Sequence, residues 1–62
     1  MREILHQYQQ DERMAKVFLT PNGFEVDLFD KNGLRETREL HNHSEKYAED
    51  CAENYVLGLF SV

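Results

Sequence analysis

The sequence is poor in two residue types, tryptophan and cysteine. It has no tryptophan and a single cysteine, Cys51. One cysteine cannot form an intrachain disulfide, and small domains from oxidising compartments usually carry several, so we expect a cytoplasmic protein. No apolar run approaches the roughly 20 residues of a membrane-spanning helix, and the N-terminal residues are too polar for a signal peptide. We therefore expect no membrane association.

Positive charge is also scarce. The chain has 7 Lys and Arg residues against 12 Asp and Glu residues, a formal net charge of −5, and no cluster of cations. Direct binding of nucleic acid is therefore disfavoured. The hydrophobic fraction of 40% predicts a folded domain rather than an acidic tail. A chain of 62 residues is expected to form one domain, over residues 1–62, with so little stability to spare that a partner copy would help it.

Two of the three glycines stand in Asn-Gly pairs, Asn22-Gly23 and Asn32-Gly33. This pair favours the two-residue loop of a β-hairpin. The loops join apolar-rich runs at residues 14–20, 24–30 and 34–40. We therefore expect a three-stranded antiparallel meander over residues 14–40. Residues 1–12 alternate weakly and are interpreted as a fourth, edge strand or as a loosely held N-terminal arm.

If each loop consists only of its Asn and Gly, the strand register follows from the loop length. Val17 would then lie opposite Leu28, Leu19 opposite Val26, and Leu28 opposite Thr37. One face of the sheet is apolar in this register. On the other face Asp27 would pair with Arg38, and Lys16 would flank Phe29.

A bulge at the second loop is the alternative register for the third run. It would place Glu36 and Arg38 on the apolar face, where burying unpaired charges costs several kcal/mol. The sequence therefore favours the loop without a bulge.

Residues 44–57 show the 3.6-residue period of an amphipathic helix. Asn42 or Ser44 can cap its start and Gly58 can end it. Residues 58–62 form a short apolar tail. The sequence thus predicts an α+β fold in which the C-terminal helix packs on one face of the sheet.

One helix covers only one face of a sheet, so the second face needs another cover. In the predicted register this face carries Phe18, Phe29, Leu34 and Leu40. We interpret these four residues as a protein-interaction surface for a homodimer or another protein partner. The alternative is that residues 1–12 and 59–62 cover this face within the monomer.

Residues that could carry chemistry are few, and we expect no cofactor, no resident metal and no enzymatic activity. His41 and His43 could serve a metal-dependent hydrolase or nuclease, but a polar loop leading into the helix cap is the simpler interpretation. With Cys51 they could also form an incomplete zinc site, although Cys51 lies on the apolar stripe of the helix. An acidic helix face could mimic nucleic acid; it consists of Glu45, Glu49, Asp50 and Glu53.

The stretch from Asn42 to Gly58, with the two hairpin runs before it, resembles short proteins encoded by tailed phages of marine cyanobacteria. The similarity covers about residues 15–58. It implies a viral accessory protein that acts by binding in the host cytoplasm. Such proteins have no assigned activity, so the resemblance implies no site residues.

Overall fold

Four consecutive β-strands precede one helix in the computed structural model, which describes residues 1–59. The strands are β1 (Glu3–Gln10), β2 (Arg13–Thr20), β3 (Gly23–Asp30) and β4 (Gly33–Leu40), and the helix α1 spans Glu45–Val56. The sheet is an antiparallel meander in the order β1-β2-β3-β4. The predicted α+β fold is confirmed in its four-stranded form. Of the predicted apolar tail, Phe60 and Val62 lie outside the described residues.

The N-terminal segment forms the edge strand β1, one of the two interpretations of residues 1–12. Its pairing with β2 is irregular near its start, because Ile4 lies opposite Phe18 whereas His6 lies opposite Val17. Leu5 is the extra residue of this β-bulge. After this bulge, each residue of β1 points to the opposite side of the sheet from the one it would have in an unbroken strand.

The two glycine-containing turns begin one residue earlier than predicted. Pro21-Asn22 and Lys31-Asn32 form the turns, and each glycine is the first residue of the next strand. Gly23 has φ 132°, a value that favours glycine.

The register between β2 and β3 is therefore shifted by two residues from the predicted one. Val17 lies opposite Val26 instead of Leu28, and Leu19 lies opposite Phe24 instead of Val26. A shift of two preserves the alternation of side chains, so the predicted apolar face of these strands is correct.

The register of β4 was predicted wrongly, because this strand contains a bulge at Arg35, inside the strand rather than at the second loop where the sequence offered one. Thr37 lies opposite Asp27, and Leu28 lies opposite Glu36, with the irregularity next to Phe29. Glu36 and Arg38 consequently lie on the helix side of the sheet.

Pairing with each other and partial exposure to solvent reduce the expected cost of burying these two charges. Arg38 Nε lies 3.1 Å from Glu36 Oε2, and both side chains are about one-third exposed at the sheet edge.

Helix α1 begins at the predicted place. Ser44 is the N-cap, and its hydroxyl accepts a hydrogen bond from the Tyr47 N–H at 3.2 Å. At the other end Gly58 has φ 78°, and the Leu59 N–H donates to the Asn54 carbonyl at 2.9 Å, as in a Schellman motif. Among the described residues, no helix is long and apolar enough to cross a membrane.

The core lies between α1 and the middle of the sheet, where the helix crosses β2 and β3 and also touches β1. The Tyr55 hydroxyl donates to the Phe29 carbonyl at 3.0 Å, which fixes the C-terminal end of the helix over β3. The Arg13 guanidinium donates to the Tyr55 carbonyl at 3.1 Å. The buried apolar residues are Ala15, Val17, Val26, Leu28, Ala48, Ala52, Tyr55 and Val56.

Candidate functional site

The side of the sheet that faces away from α1, here called the open face, carries three of the four predicted interaction residues. Phe18 and Phe29 are half-buried there, and Leu34, opposite Phe29, is 59% exposed. Leu40 was assigned to this face wrongly. The bulge in β4 turns it to the helix side, where it lies opposite Phe24 and packs against the core.

Cations cover the two aromatic rings of the open face. Arg2 Cζ lies 4.0 Å from the centre of the Phe18 ring. Lys16 Nζ lies 5.3 Å from the centre of the Phe29 ring, which confirms the predicted contact. Both distances are within the range of cation–π interactions. The freely accessible apolar surface is therefore smaller than predicted and consists chiefly of Leu34 on β4 and Ile4 on β1, at opposite edges of the sheet.

A network of charged groups crosses the middle of the open face. Asp27, only 7% exposed, accepts hydrogen bonds from Arg2 Nη2 at 2.8 Å, Arg2 Nη1 at 3.1 Å and the Thr37 hydroxyl at 2.8 Å. Glu25 Oε1 lies 3.2 Å from Arg2 Nε, and Glu25 Oε2 lies 2.9 Å from His41 Nε2. The predicted pairing of Asp27 with Arg38 is wrong, because Arg38 lies on the helix side.

This network shifts the pKa of Asp27. Burial by itself would raise the pKa of this carboxyl, but the hydrogen bonds from Arg2 and Thr37 and the positive charges of Arg2 and Lys16 outweigh burial and lower it. The Arg2 pKa is raised above its usual value, chiefly by the same hydrogen bond to Asp27. The two groups therefore stabilise each other in their charged forms.

The predicted acidic helix face is present on α1, but it is partly neutralised. Lys46 Nζ lies 3.6 Å from Asp50 Oδ1, and His6 contacts Glu45 and Glu49. Burial raises the pKa of Tyr8 on neighbouring β1, and the helix carboxylates raise it further. These carboxylates are Glu49, Glu53, Asp50 and Glu45.

The contact between His6 and α1 joins segments 39 residues apart in sequence. His6 Nε2 lies 2.8 Å from Glu45 Oε2 and 3.2 Å from Glu49 Oε2. The sequence pattern did not predict this cluster. The spacing of Glu45 and Glu49 by one helical turn is visible in the sequence, but the bulge that turns His6 toward them is not.

His41 and His43, the residues of the hydrolase hypothesis, enter separate contacts. His41 is hydrogen-bonded to Glu25, whereas the His43 ring stacks on Tyr47 with ring centres 4.0 Å apart. Glu39 lies opposite Glu25 and completes a second group of possible metal ligands with His41. His43 is not part of that group.

Cys51 is half-buried beside a cleft between β4 and α1. The cleft has a volume of about 260 Å³, and Arg38 and Asp50 contribute to its wall. Burial raises the pKa of the Cys51 thiol; Arg38 lowers it by a smaller amount, and Glu36 raises it. A raised pKa reduces the thiolate fraction at neutral pH, as expected for a packing residue rather than a nucleophile.

In comparisons with known proteins, no protein family, no curated protein and no solved structure matches this chain. The resemblance to cyanophage proteins therefore stays a prediction, and the function has to be argued from the geometry.

Proposed function

We propose that the protein is a small self-associating binding protein that forms a symmetric dimer through its open face. The observation that carries this proposal is the division of charge across that face. Lys16 lies on its β1–β2 half, whereas Glu25, Asp27 and Glu39 lie on its β3–β4 half. Arg2, just before β1, reaches across to pair with Glu25 and Asp27 within the same chain. A surface divided in this way is complementary to a second copy of itself.

A two-fold axis parallel to the strands, running above the boundary between β2 and β3, superimposes the opposite halves. It places β2 of one copy over β3 of the other and preserves the level of each residue along the strands. Lys16 of one copy then lies over Asp27 of the other, because these residues are partners in the register of a single sheet. Met14 lies over Phe29 for the same reason.

The net charge of the chain does not oppose this arrangement. The excess of negative charge lies on the acidic helix face, on the other side of the sheet, whereas the open face carries cations and anions together. In the dimer the two acidic helix faces are outermost and separated by the two sheets. Repulsion between them is therefore screened by salt at physiological ionic strength.

The size of the open face indicates the class of dimer to expect. Four strands about 4.8 Å apart and eight residues long at about 3.3 Å per residue span about 500 Å². Specific interfaces of standard size bury about 800 Å² per partner. We therefore expect a reversible dimer rather than an obligate one.

Sedimentation velocity over a range of protein concentrations tests the proposal. Wild type is expected to shift from monomer to dimer. Leu34→Asp is expected to remain monomeric, because it places a charge beside Phe29 in the row of apolar side chains that also contains Met14. Leu34 is exposed, so the substitution leaves the monomer core unchanged.

Tyr47→Asp is the matched control. It also converts an exposed apolar side chain, here 50% exposed, to an acid, but it lies in the first turn of α1, where a negative charge is favourable. This control should dimerise like wild type. A wild type that stays monomeric at every concentration would refute self-association and leave a foreign protein as the occupant of the open face.

A further inference from the structure

His6, Glu45 and Glu49, here called the His6 cluster, bring three metal-ligating atoms together between β1 and α1. The three donor atoms all lie within 4.8 Å of one another. Imidazole nitrogen with two carboxylate oxygens is a donor set suited to zinc and similar divalent transition metals, whereas magnesium and calcium prefer oxygen alone.

The spacing of the donor atoms fits one ion. Two atoms that each lie about 2.1 Å from a zinc ion are about 3.0 Å apart at a right angle and about 3.4 Å apart at the tetrahedral angle. His6 Nε2 lies 2.8 Å from Glu45 Oε2 and 3.2 Å from Glu49 Oε2. The distance to Glu49 lies between these two values, and the distance to Glu45 is about 0.2 Å shorter than the right-angle value, so a small side-chain shift would place all three groups around a single cation.

A divalent cation can contact all three groups of this cluster, whereas a hydrogen atom on His6 cannot. The Nε2 atom of His6 can carry one hydrogen, which cannot point along both directions to Glu45 and Glu49 at once. The two carboxylates are one helical turn apart and repel each other. A doubly charged ion relieves this repulsion and binds all three groups.

The backbone of β1 places His6 in this position. Continued from Ile4 opposite Phe18, an unbroken ladder would set position 6 opposite Lys16 on the open face. The bulge at Leu5 instead turns His6 toward the helix. The three side chains are between one-third and one-half exposed, so water can complete the coordination shell.

The group formed by Glu25, Glu39 and His41 provides an internal comparison. It has the same residue types, but the Arg2 guanidinium already lies 3.2 Å from Glu25. A fixed cation there neutralises the carboxylate and repels a metal ion. None of the ion pairs formed by Glu45 or Glu49 includes Arg or Lys among the described residues.

We propose that the His6 cluster binds one zinc-class divalent cation, which fastens the edge strand β1 to α1. Domains of this size often use a structural metal to supplement a small core. The site lies on the helix side of the sheet, so this inference does not depend on dimerisation through the open face.

Isothermal titration calorimetry of the metal-free 62-residue chain with zinc chloride tests the inference. One zinc ion per chain is expected to bind, with nuclear magnetic resonance shifts of the His6 ring. Glu49→Gln removes one ligand at the helix surface and should weaken zinc binding by at least about tenfold. At a free zinc concentration of about 100 times the dissociation constant, the ratio of folded to unfolded chain should rise about 100-fold.

Glu53→Gln and His41→Gln are the matched controls, because they remove the same residue types outside the His6 cluster. Both should bind zinc within about twofold of wild type, and so should Leu34→Asp. The absence of zinc binding by a folded wild type would overturn the inference. An equal loss in Glu53→Gln and Glu49→Gln would also overturn it, because it would indicate diffuse attraction to the acidic helix face. Circular dichroism confirms that each variant is folded.

Discussion

Replacing Arg2 by alanine removes the cation that pairs with the buried carboxylate of Asp27. Arg2 makes two hydrogen bonds to Asp27 and covers the Phe18 ring. In the variant Asp27 keeps only the Thr37 hydroxyl among its side-chain hydrogen bonds. A buried carboxylate that loses its cation carries an uncompensated desolvation cost, so we expect the variant to be less stable.

The size of the effect follows from the exposure of the two partners. Hydrogen bonds to charged groups contribute about 1.5–3 kcal/mol each. The Arg2 side chain is 38% exposed, so solvent screens it, and we take about 1.5 kcal/mol for the pair as a whole. The contact with Phe18 adds about 0.5 kcal/mol. The free energy of unfolding should fall by about 2 kcal/mol, which lowers the melting temperature by about 15 °C for a chain of this length.

The stabilisation should depend on pH in a defined direction. Because the folded-state pKa of Asp27 is lowered, its contribution is present above the unfolded-state pKa of about 3.9 and is lost as the pH falls through the folded-state value. Urea denaturation of both proteins, at neutral pH and at about pH 2.5, measures this. The difference between wild type and Arg2→Ala should be largest at neutral pH and should shrink in acid.

Arg35→Ala is the control for loss of an arginine as such. Its guanidinium lies 3.7 Å from Asp30 on the surface and is 55% exposed, so its removal should cost less than about 0.5 kcal/mol. The reasoning is refuted if Arg2→Ala and Arg35→Ala lose the same stability. A difference between wild type and Arg2→Ala that is the same at both pH values would refute the role of Asp27.

Two further predictions concern the backbone and the thiol. Gly23→Ala should destabilise the protein by about 2 kcal/mol more than Gly33→Ala. Both glycines have positive φ, but only at Gly23 would the new Cβ meet backbone, 2.8 Å from His41 Cα; equal losses in denaturation would contradict this. Cys51 should react with a thiol reagent at neutral pH more slowly in the native than in the denatured protein, because burial raises its pKa. Equal rates would show that the native structure does not protect the thiol.

The sequence determined strands β2 to β4, helix α1 and which residues of β2, β3 and α1 form the core, whereas it left residues 1–12 open between a strand and a loosely held arm. These features depend on neighbouring residues, since a strand alternates every second residue and a helix every three to four. Val17 and Val26 were correctly placed on the apolar face although the predicted register was wrong. The register error was two residues, and an even shift leaves each side chain on the same face of the sheet. The helix boundaries also followed from local signals, Ser44 at the start and Gly58 at the end.

The two β-bulges were decided only by the tertiary structure. Each inserts one residue and so exchanges the faces of the residues that follow it. The bulge in β4 turned Leu40 from the predicted interaction surface toward the core, and the bulge in β1 turned His6 toward α1. No local pattern marks either position.

The physical reason is that a bulge is stabilised by partners far away in the chain. Leu40, beyond the bulge in β4, lies opposite Phe24 and packs against the core, and His6 faces carboxylates 39 residues away or more. Hydrophobic periodicity determined which elements form. The pairing of charges across the assembled sheet and helix decided which side chains meet, and with them the two surfaces to which we assign a function.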